Sequence, residues 1–496
     1  MKQADSFSLP YDKTDPASIE SYAKKLEGQT FEDVLIKAKS KGALENGVVT
    51  GVGNAPHNRG LLGVLLEENY FQYKANSESE PDFKEAGVEL KTTPYEITKA
   101  GKKRAGERLV LSMINYSGPI ENDFYASHVW KKCRTLLLVF YLRDRNPQDR
   151  LKCPIHYVSL FTPSETDLAI IKNDYRIIAE KIISGKADKL SESDTFYLGA
   201  CTKGATAEKS FTRQYYEPHT KAKTRAFCYK NSYMTHVLNE YIIKEAEAYE
   251  PIIKNASELA KKTFADFIIE KIDLHRGKTD KQLCGEFDRL YNNNKAQWTD
   301  LVYRMLGIKS NRAEEFRKAN VVIKVIRLEE NGKMKESMSF PPFKYRELAK
   351  ENWEDSTLHN YFDETKFLFV VFKRSGKCYV LKGCQLWNMP CDDLNQEVKQ
   401  GWTNVVKRIR EGINLTIVET KAGPVVKNDL PTKAENRIIH VRPHAKKRYY
   451  EFLDGKIIGD GSRSDANQLP NGIWMPNYSF WINNDYILSQ LGNYAD

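Results

Sequence analysis

The sequence predicts an α/β (α+β) protein made of two tandem domains, each a mixed central sheet flanked by helices. Three observations carry that prediction. Strand-like and helix-like runs recur in matching order in the two halves of the chain. The 496 residues, 41% of them hydrophobic, suffice for more than one packed core. No apolar run approaches the ~18 residues of a spanning helix. The N-terminus also lacks the basic-then-apolar layout of a secretion signal, so a soluble, cytoplasmic protein without membrane contact is expected.

In the first half the strand candidates are "AGVELKT", "RLVLSMI", "TLLLVFYL" and "HYVSLF", followed by the amphipathic helix "ETDLAIIKNDYRIIAEKIISG". The second half answers with "ANVVIKV", "KESMSF", "KFLFVVFK" and "KGCQLWNM", then the helix "DDLNQEVKQGWTNVVKRIREG". Laid on one another, the two helices pair Tyr175 with Trp402, Ile178 with Val405 and Ile182 with Ile409. Further on, "AFCYKNSYMTHVL" matches "SFWINNDYILSQL", so Phe227 faces Phe480 and Tyr233 faces Tyr486. The expected domains are 1–250 and 251–496, joined near the charge-rich stretch 245–262, which reads as helical. The polar stretch 413–439 reads as a surface insertion.

The chemistry concentrates in "PDFKEAGVELK", residues 81–91. Alternation along "VELK" sends Val88 and Leu90 to the core and places Glu89 and Lys91 together on the other face. Pro81 sets a turn that aims Asp82 at the same spot. Two carboxylates, a backbone carbonyl and water make a hard-oxygen site that Mg2+ accepts, with room for a phosphate oxygen. Lys91 then orients water and offsets charge building on the phosphate. By spacing alone, a solvated strand edge fits the pattern equally well. The second half lines up as "FRKANVVIK", which sets Val322 against Glu89, Glu315 against Asp82 and Lys324 against Lys91. Valine cannot bind a hard cation, so the second copy reads as catalytically degenerate.

Other features narrow the class. The eight cysteines include no C-x-x-C pair, which favours reduced thiols over structural zinc. A net charge of +10 and basic bunches at 99–108, 131–134 and 444–448 favour a polyanionic partner. His57, His128 and His156 lack any partnered spacing, and there is no phosphate-binding G-x-x-x-x-G-K-[ST] loop for ATP-driven movement. "GVVTGVGNAPHNRG", residues 47–60, reads as a hinge or DNA-facing loop. In "HVRPHAKKR" (440–448), Arg442 suits a guanine edge, His444 adds a donor, and Lys446, Lys447 and Arg448 suit phosphates.

"GVLLE", "DFKEAGVELKT" and "SHVWKK", in that order, resemble the MutH family of nucleases, members of the PD-(D/E)xK restriction-endonuclease fold. "SIESYAKKLEGQTFEDVL" and "FYLGACTKGATA" look like its flanking elements, so the resemblance covers roughly residues 15–245. It implies that Asp82, Glu89 and Lys91 are the metal-binding and catalytic set, with Glu67 as an additional acidic ligand and Lys132 as a further basic residue. It also implies that Lys203 belongs to a DNA-reading loop, that the target is double-stranded GATC, and that the cofactor is Mg2+. The repair enzymes of that family carry an aromatic residue and a loop arginine where this chain has Cys228 and Cys201, which puts discrimination of hemimethylated DNA in doubt.

A second, degenerate copy resembles the layout of the Sau-three-A type restriction enzymes of that superfamily. That layout implies a type II restriction endonuclease cutting 5′ of the guanine, and the basic segment 440–448 leads to the expectation that the second domain binds another site as an allosteric effector. A duplex break from one active site per chain needs two chains meeting on DNA or one chain nicking twice; a monomer that pairs on DNA, functionally linked to a cognate DNA methyltransferase, is the expectation. Alternatives are a methyl-directed mismatch-repair nicking endonuclease and a non-catalytic sequence-specific DNA-binding protein.

Overall fold

The computed structural model describes residues 9–40, 60–74, 80–143, 147–203, 210–245, 249–292, 294–309, 311–421 and 423–494. The stretch 47–60, expected as a hinge, lies almost wholly outside the described residues, as does His57. The chain forms two compact units: Met1–Phe264 with Arg312–Asn320, and Ala265–Asn311 with Val321–Asp496. No helix among the described residues is long and apolar enough to cross a membrane.

The first unit is built on strands β1 (Glu89–Ile97), β2 (Lys103–Ala105), β3 (Leu109–Met113), β4 (Leu136–Leu142), β5 (Ile155–Phe161), β6 (Leu198–Thr202) and β7 (Arg225–Tyr229). Its main sheet runs β2-β1-β4-β5, with β1 and β4 parallel and both edge strands antiparallel. Leu136 to Phe140 are all fully buried, the signature of a strand covered on both faces. Helix α1 (Leu61–Asn69) and the helices Pro16–Ala23 and Phe31–Ser40 bury Leu62, Leu66, Ile19 and Phe31 in a core that includes Leu90 and Val139. A second sheet runs β3-β7-β6. Helix α2 (His128–Cys133) precedes β4, and helix α3 (Glu165–Ile183) follows β5.

Ser164 caps α3 by accepting the Asp167 N–H at 3.2 Å, and Ile170, Tyr175, Ile178 and Ile182 recur at helical spacing on its buried face. From that face Asp174 accepts the N–H groups of Phe196 (2.9 Å), Tyr197 (2.6 Å) and Leu198 (3.0 Å), which fixes where β6 begins.

The boundary differs from the expected division at residue 250. The described part of the stretch read as a helical joint, residues 245 and 249–262, is irregular apart from one short turn at Ala256–Leu259, and residues 251–264 stay with the first unit. Glu315 explains this, because its carboxylate accepts the N–H groups of Ile252 (2.8 Å) and Ile253 (3.0 Å). In the same short helix, Glu314–Ala319, Lys318 pairs with Asp167 and Glu314, each at 2.8 Å. Close by, burial and then the Lys318 ammonium hold the His236 imidazole down to about 4.

A depressed histidine pKa means that the native state prefers the neutral ring, so its contribution to stability is intact above pH 6.5. That contribution is lost as pH falls from 6.5 towards 4, to a maximum of about 3 kcal/mol. Urea midpoints measured across that range are expected to fall more steeply in the wild type than in His236→Gln.

The second unit repeats the order and sense of the first. Strand β8 (Val321–Leu328) lies parallel to β10 (Lys366–Ser375), which turns through Gly376 into antiparallel β11 (Cys378–Trp387). Strand β9 (Met338–Pro342), β12 (Ile439–Pro443) and β13 (Tyr478–Ile482) form a three-stranded sheet in the order β9-β13-β12, as β3-β7-β6 do. Helix Lys399–Glu411 buries Trp402, Val405 and Ile409, the residues matched to Tyr175, Ile178 and Ile182. The stretch 413–439 contains an antiparallel hairpin, Leu415–Thr420 with Gly423–Asn428. Four short strands between Tyr450 and Pro476 form a further small sheet.

Candidate active site

A short loop brings Asp82 back to the strand that carries Glu89. Phe83 and Val88 exchange backbone hydrogen bonds (2.9 and 3.2 Å), which closes a turn between them. Gly87 makes that turn possible at φ +65°, where an added Cβ would lie 1.9 Å from the Arg134 guanidinium. The closed turn lets Asp82 Oδ2 accept the Leu90 N–H at 2.9 Å. The six intervening residues therefore place both carboxylates at the head of β1.

Glu89 is held between two ammonium groups. Lys91 Nζ lies 2.7 Å from Oε1, and Lys132 Nζ lies 3.1 Å from Oε2, while the Glu89 side chain is only 3% exposed. The second contact is an ion pair without hydrogen-bond geometry, so Oε2 is buried and has no hydrogen-bond partner. Lys132 is delivered by α2, whose cap Ser127 accepts the Trp130 N–H at 3.2 Å. Its neighbour Lys131 points elsewhere and pairs with Glu80 at 2.7 Å.

Glu67 comes from α1. Burial, followed by the Asp82 charge, pushes its carboxyl up to about 7, against the pull of Lys91. Burial and then the Glu89 charge push Asp82 up to about 6. Three acidic groups thus feel one another in a half-buried place, an arrangement that a divalent cation relieves.

Sequence reasoning missed Tyr73. Its N–H donates to the Glu67 carbonyl at 3.0 Å, and its ring packs edge-on against Phe83 at 5.3 Å. Its hydroxyl is buried without a hydrogen-bond partner, and burial and then the Asp82 charge raise its pKa. A tyrosine in a polar linker carries no periodic signal.

Among the described residues no group of three or more His, Cys, Asp or Glu side chains is arranged to hold a metal ion. Glu67, expected as a third ligand, is coupled to Asp82 and Glu89 through its charge but does not complete such a group. Asp82 and Glu89 fit a hard cation that takes two carboxylates and fills its shell with carbonyl and water oxygens. Glu89 Oε2, buried with no hydrogen bond among the described residues, is the donor such an ion needs. The histidines are engaged otherwise: His128 Nδ1 contacts Glu121 at 2.8 Å, and His156 Nδ1 contacts the Tyr95 hydroxyl at 2.5 Å. A cavity of about 280 Å³ beside His128, Glu121 and Phe227 is lined by none of the five candidate catalytic residues.

In the second unit Arg442 stacks its guanidinium 3.6 Å from the centre of the Trp481 ring. His440 and His444 flank that ring; His444 Nδ1 lies 3.0 Å from Ser479 Oγ and His440 Nδ1 lies 2.6 Å from Asn483 Oδ1. Arg442, His444, Lys446, Lys447 and Arg448 are all exposed. None of the five forms an ion pair with any other described residue. Strand register gives the matching places in the first unit. Cys201 and Gly199 face Ala226 and Cys228, as Arg442 and His440 face Ser479 and Trp481. Cys201 and Cys228 are buried together with Ala226, and all eight cysteines are free thiols. Lys203, half-buried, ends that stretch with its N–H on the Thr224 carbonyl at 2.8 Å.

Residues 71–174, within the first unit, match the family of the DNA mismatch repair enzyme MutH. MutH proteins of Shewanella woodyi and Vibrio campbellii are each 28% identical to this chain, over 36% and 38% of it and 78% and 82% of their own lengths. The type II restriction enzyme Sau3AI of Staphylococcus aureus is 35% identical over 499 aligned residues, 95% of this chain and 99% of that enzyme. The chain belongs to the Sau3AI family of type II restriction enzymes.

Proposed function

We propose that this restriction enzyme hydrolyses both strands of double-stranded DNA at GATC, 5′ of the guanine, with Mg2+, through the five acidic and basic residues of the first unit. The observation that carries the reading is the similarity to Sau3AI along almost the whole chain. The second unit acts as a degenerate copy that binds another GATC site as an effector. The repeated strand order, Val322 in the register of Glu89, and the commitment of Glu315 to backbone N–H groups support this view. The basic segment 442–448, without ion pairs among the described residues, supplies its DNA contacts, and Lys203 supplies one in the first unit.

A Mg2+ ion held by Asp82 and Glu89 supplies polarisation of the scissile phosphate and acidification of water. Lys91 anchors on Glu89 and from there orients water and opposes the charge that develops on the phosphate. Lys132 holds the other Glu89 oxygen and adds a second positive group beside the phosphate path. Glu67, whose carboxyl burial and the Asp82 charge raise, adds a third acidic group whose repulsion a bound cation would relieve. One such site per chain requires two chains to meet on DNA, or one chain to act twice, for a double-strand break. We favour a monomer that pairs on DNA. Sparing of the host genome calls for a partner methyltransferase that modifies the same sequence.

Plasmids with one and two GATC sites, incubated with Mg2+, test the reading. Discrete fragments with four-base 5′ GATC ends, formed faster from two-site plasmids, are expected. The MutH relatives favour a second reading, in which the same incubation gives strand-selective nicks without fragments. Cutting at another sequence contradicts the target assignment, and equal rates on both plasmids at all enzyme concentrations contradict the effector role.

A further inference from the structure

Among the described residues Lys324 has no counter-charge. It occupies the β8 position that Lys91 occupies on β1: Lys91 pairs with Leu138 of β4, and Lys324 pairs with Phe369 of β10. Lys91 has a carboxylate at 2.7 Å. Lys324 Nζ has the Ser339 carbonyl at 3.5 Å and the Phe340 ring at 5.8 Å. Burial, and then the like charge of Lys295, depress its pKa, and no acidic group acts on it in the opposite sense. Lys295 is itself exposed, at the start of the helix Lys295–Met305.

Retaining a half-buried ammonium with no anion is unfavourable unless a ligand brings one. Val322 stands where Glu89 stands in the first unit, and Glu315, the residue aligned with Asp82, belongs to the first unit and accepts the N–H groups of Ile252 and Ile253. Where the first unit sets a carboxylate 2.7 Å from its lysine, the described residues of the second set none against Lys324. We infer that Lys324, with Lys295 at its rim, is a phosphate-binding site that takes a backbone phosphate of DNA held by the second unit. The inference rests on the effector reading of that unit and adds its phosphate contact.

The test titrates a labelled GATC duplex, without Mg2+ and over a series of salt concentrations, into the full-length Glu89→Gln chain. The same chain bearing Lys324→Met or Lys324→Arg is compared, and melting temperatures are taken with and without inorganic phosphate. The parent is expected to bind two duplexes. Lys324→Met is expected to weaken the second event about tenfold and to lower its salt slope by roughly one. Lys324→Arg should retain both, and the melting temperature of Lys324→Met should not fall. Lys324→Met matching the parent in both duplex binding and phosphate-induced stabilisation overturns the inference. Loss of the phosphate effect alone keeps the anion site and makes free phosphate its ligand. A parent that binds one duplex contradicts the effector reading instead; the phosphate comparison then decides the anion site by itself.

Discussion

Glu89→Gln is expected to lose at least about a thousandfold in DNA cleavage, because it removes a charged ligand and the anchor of two lysines together. The side chain keeps its size, so the strand and its neighbours keep their packing. What changes is the charge at the head of β1. Lys91 and Lys132, at 2.7 and 3.1 Å from the carboxylate, then face each other across a neutral amide. The stability cost should be about 2 kcal/mol, less than for a fully buried pair, because both ammonium groups retain some water contact. Circular dichroism and a melting curve separate that modest cost from the loss of cutting. Cleavage within tenfold of the wild type would mean that another acidic group carries the reaction.

Arg442→Ala is expected to weaken DNA binding by the second unit by about 10- to 100-fold, the worth of a guanine contact at roughly 1–3 kcal/mol. The guanidinium lies flat on Trp481 at 3.6 Å, which fixes its plane before DNA arrives. Arg442→Lys should rescue little, since an ammonium offers neither the fork nor the stack. The fold should barely notice, because the side chain is exposed and an exposed cation–π contact is worth about 0.5–1 kcal/mol. Two-site plasmids should lose their rate advantage, while cutting at one site proceeds. A variant whose two-site advantage is unchanged would place effector recognition elsewhere.

Much of this was readable from residues. The short strand-like runs that become β1, β4, β5, β8 and β10 were readable from their composition, and their order survives in the structure. The closeness of Asp82 and Glu89 follows from the turn chemistry of "PDFKEAGVELK". Other features depend on distant partners that no local pattern reports. Glu315 aligns with Asp82 in sequence, yet its oxygens serve Ile252 and Ile253. Arg442 was legible as a donor, but its seat on Trp481 depends on the register of β12 against β13. Lys324 aligns with Lys91 in sequence, and its lack of a counter-charge among the described residues emerges only from the packing around it.

On the proposed function, the first unit holds a divalent cation at Asp82 and Glu89 and the second unit holds none. Anomalous scattering from a crystal of the full chain grown with Mn2+ and a GATC duplex tests this most directly. One peak per chain is expected, within bonding distance of Asp82 and Glu89, with none beside Val322 and Lys324. A peak at the second position, or a first unit whose two carboxylates turn away from any ion, would contradict the account.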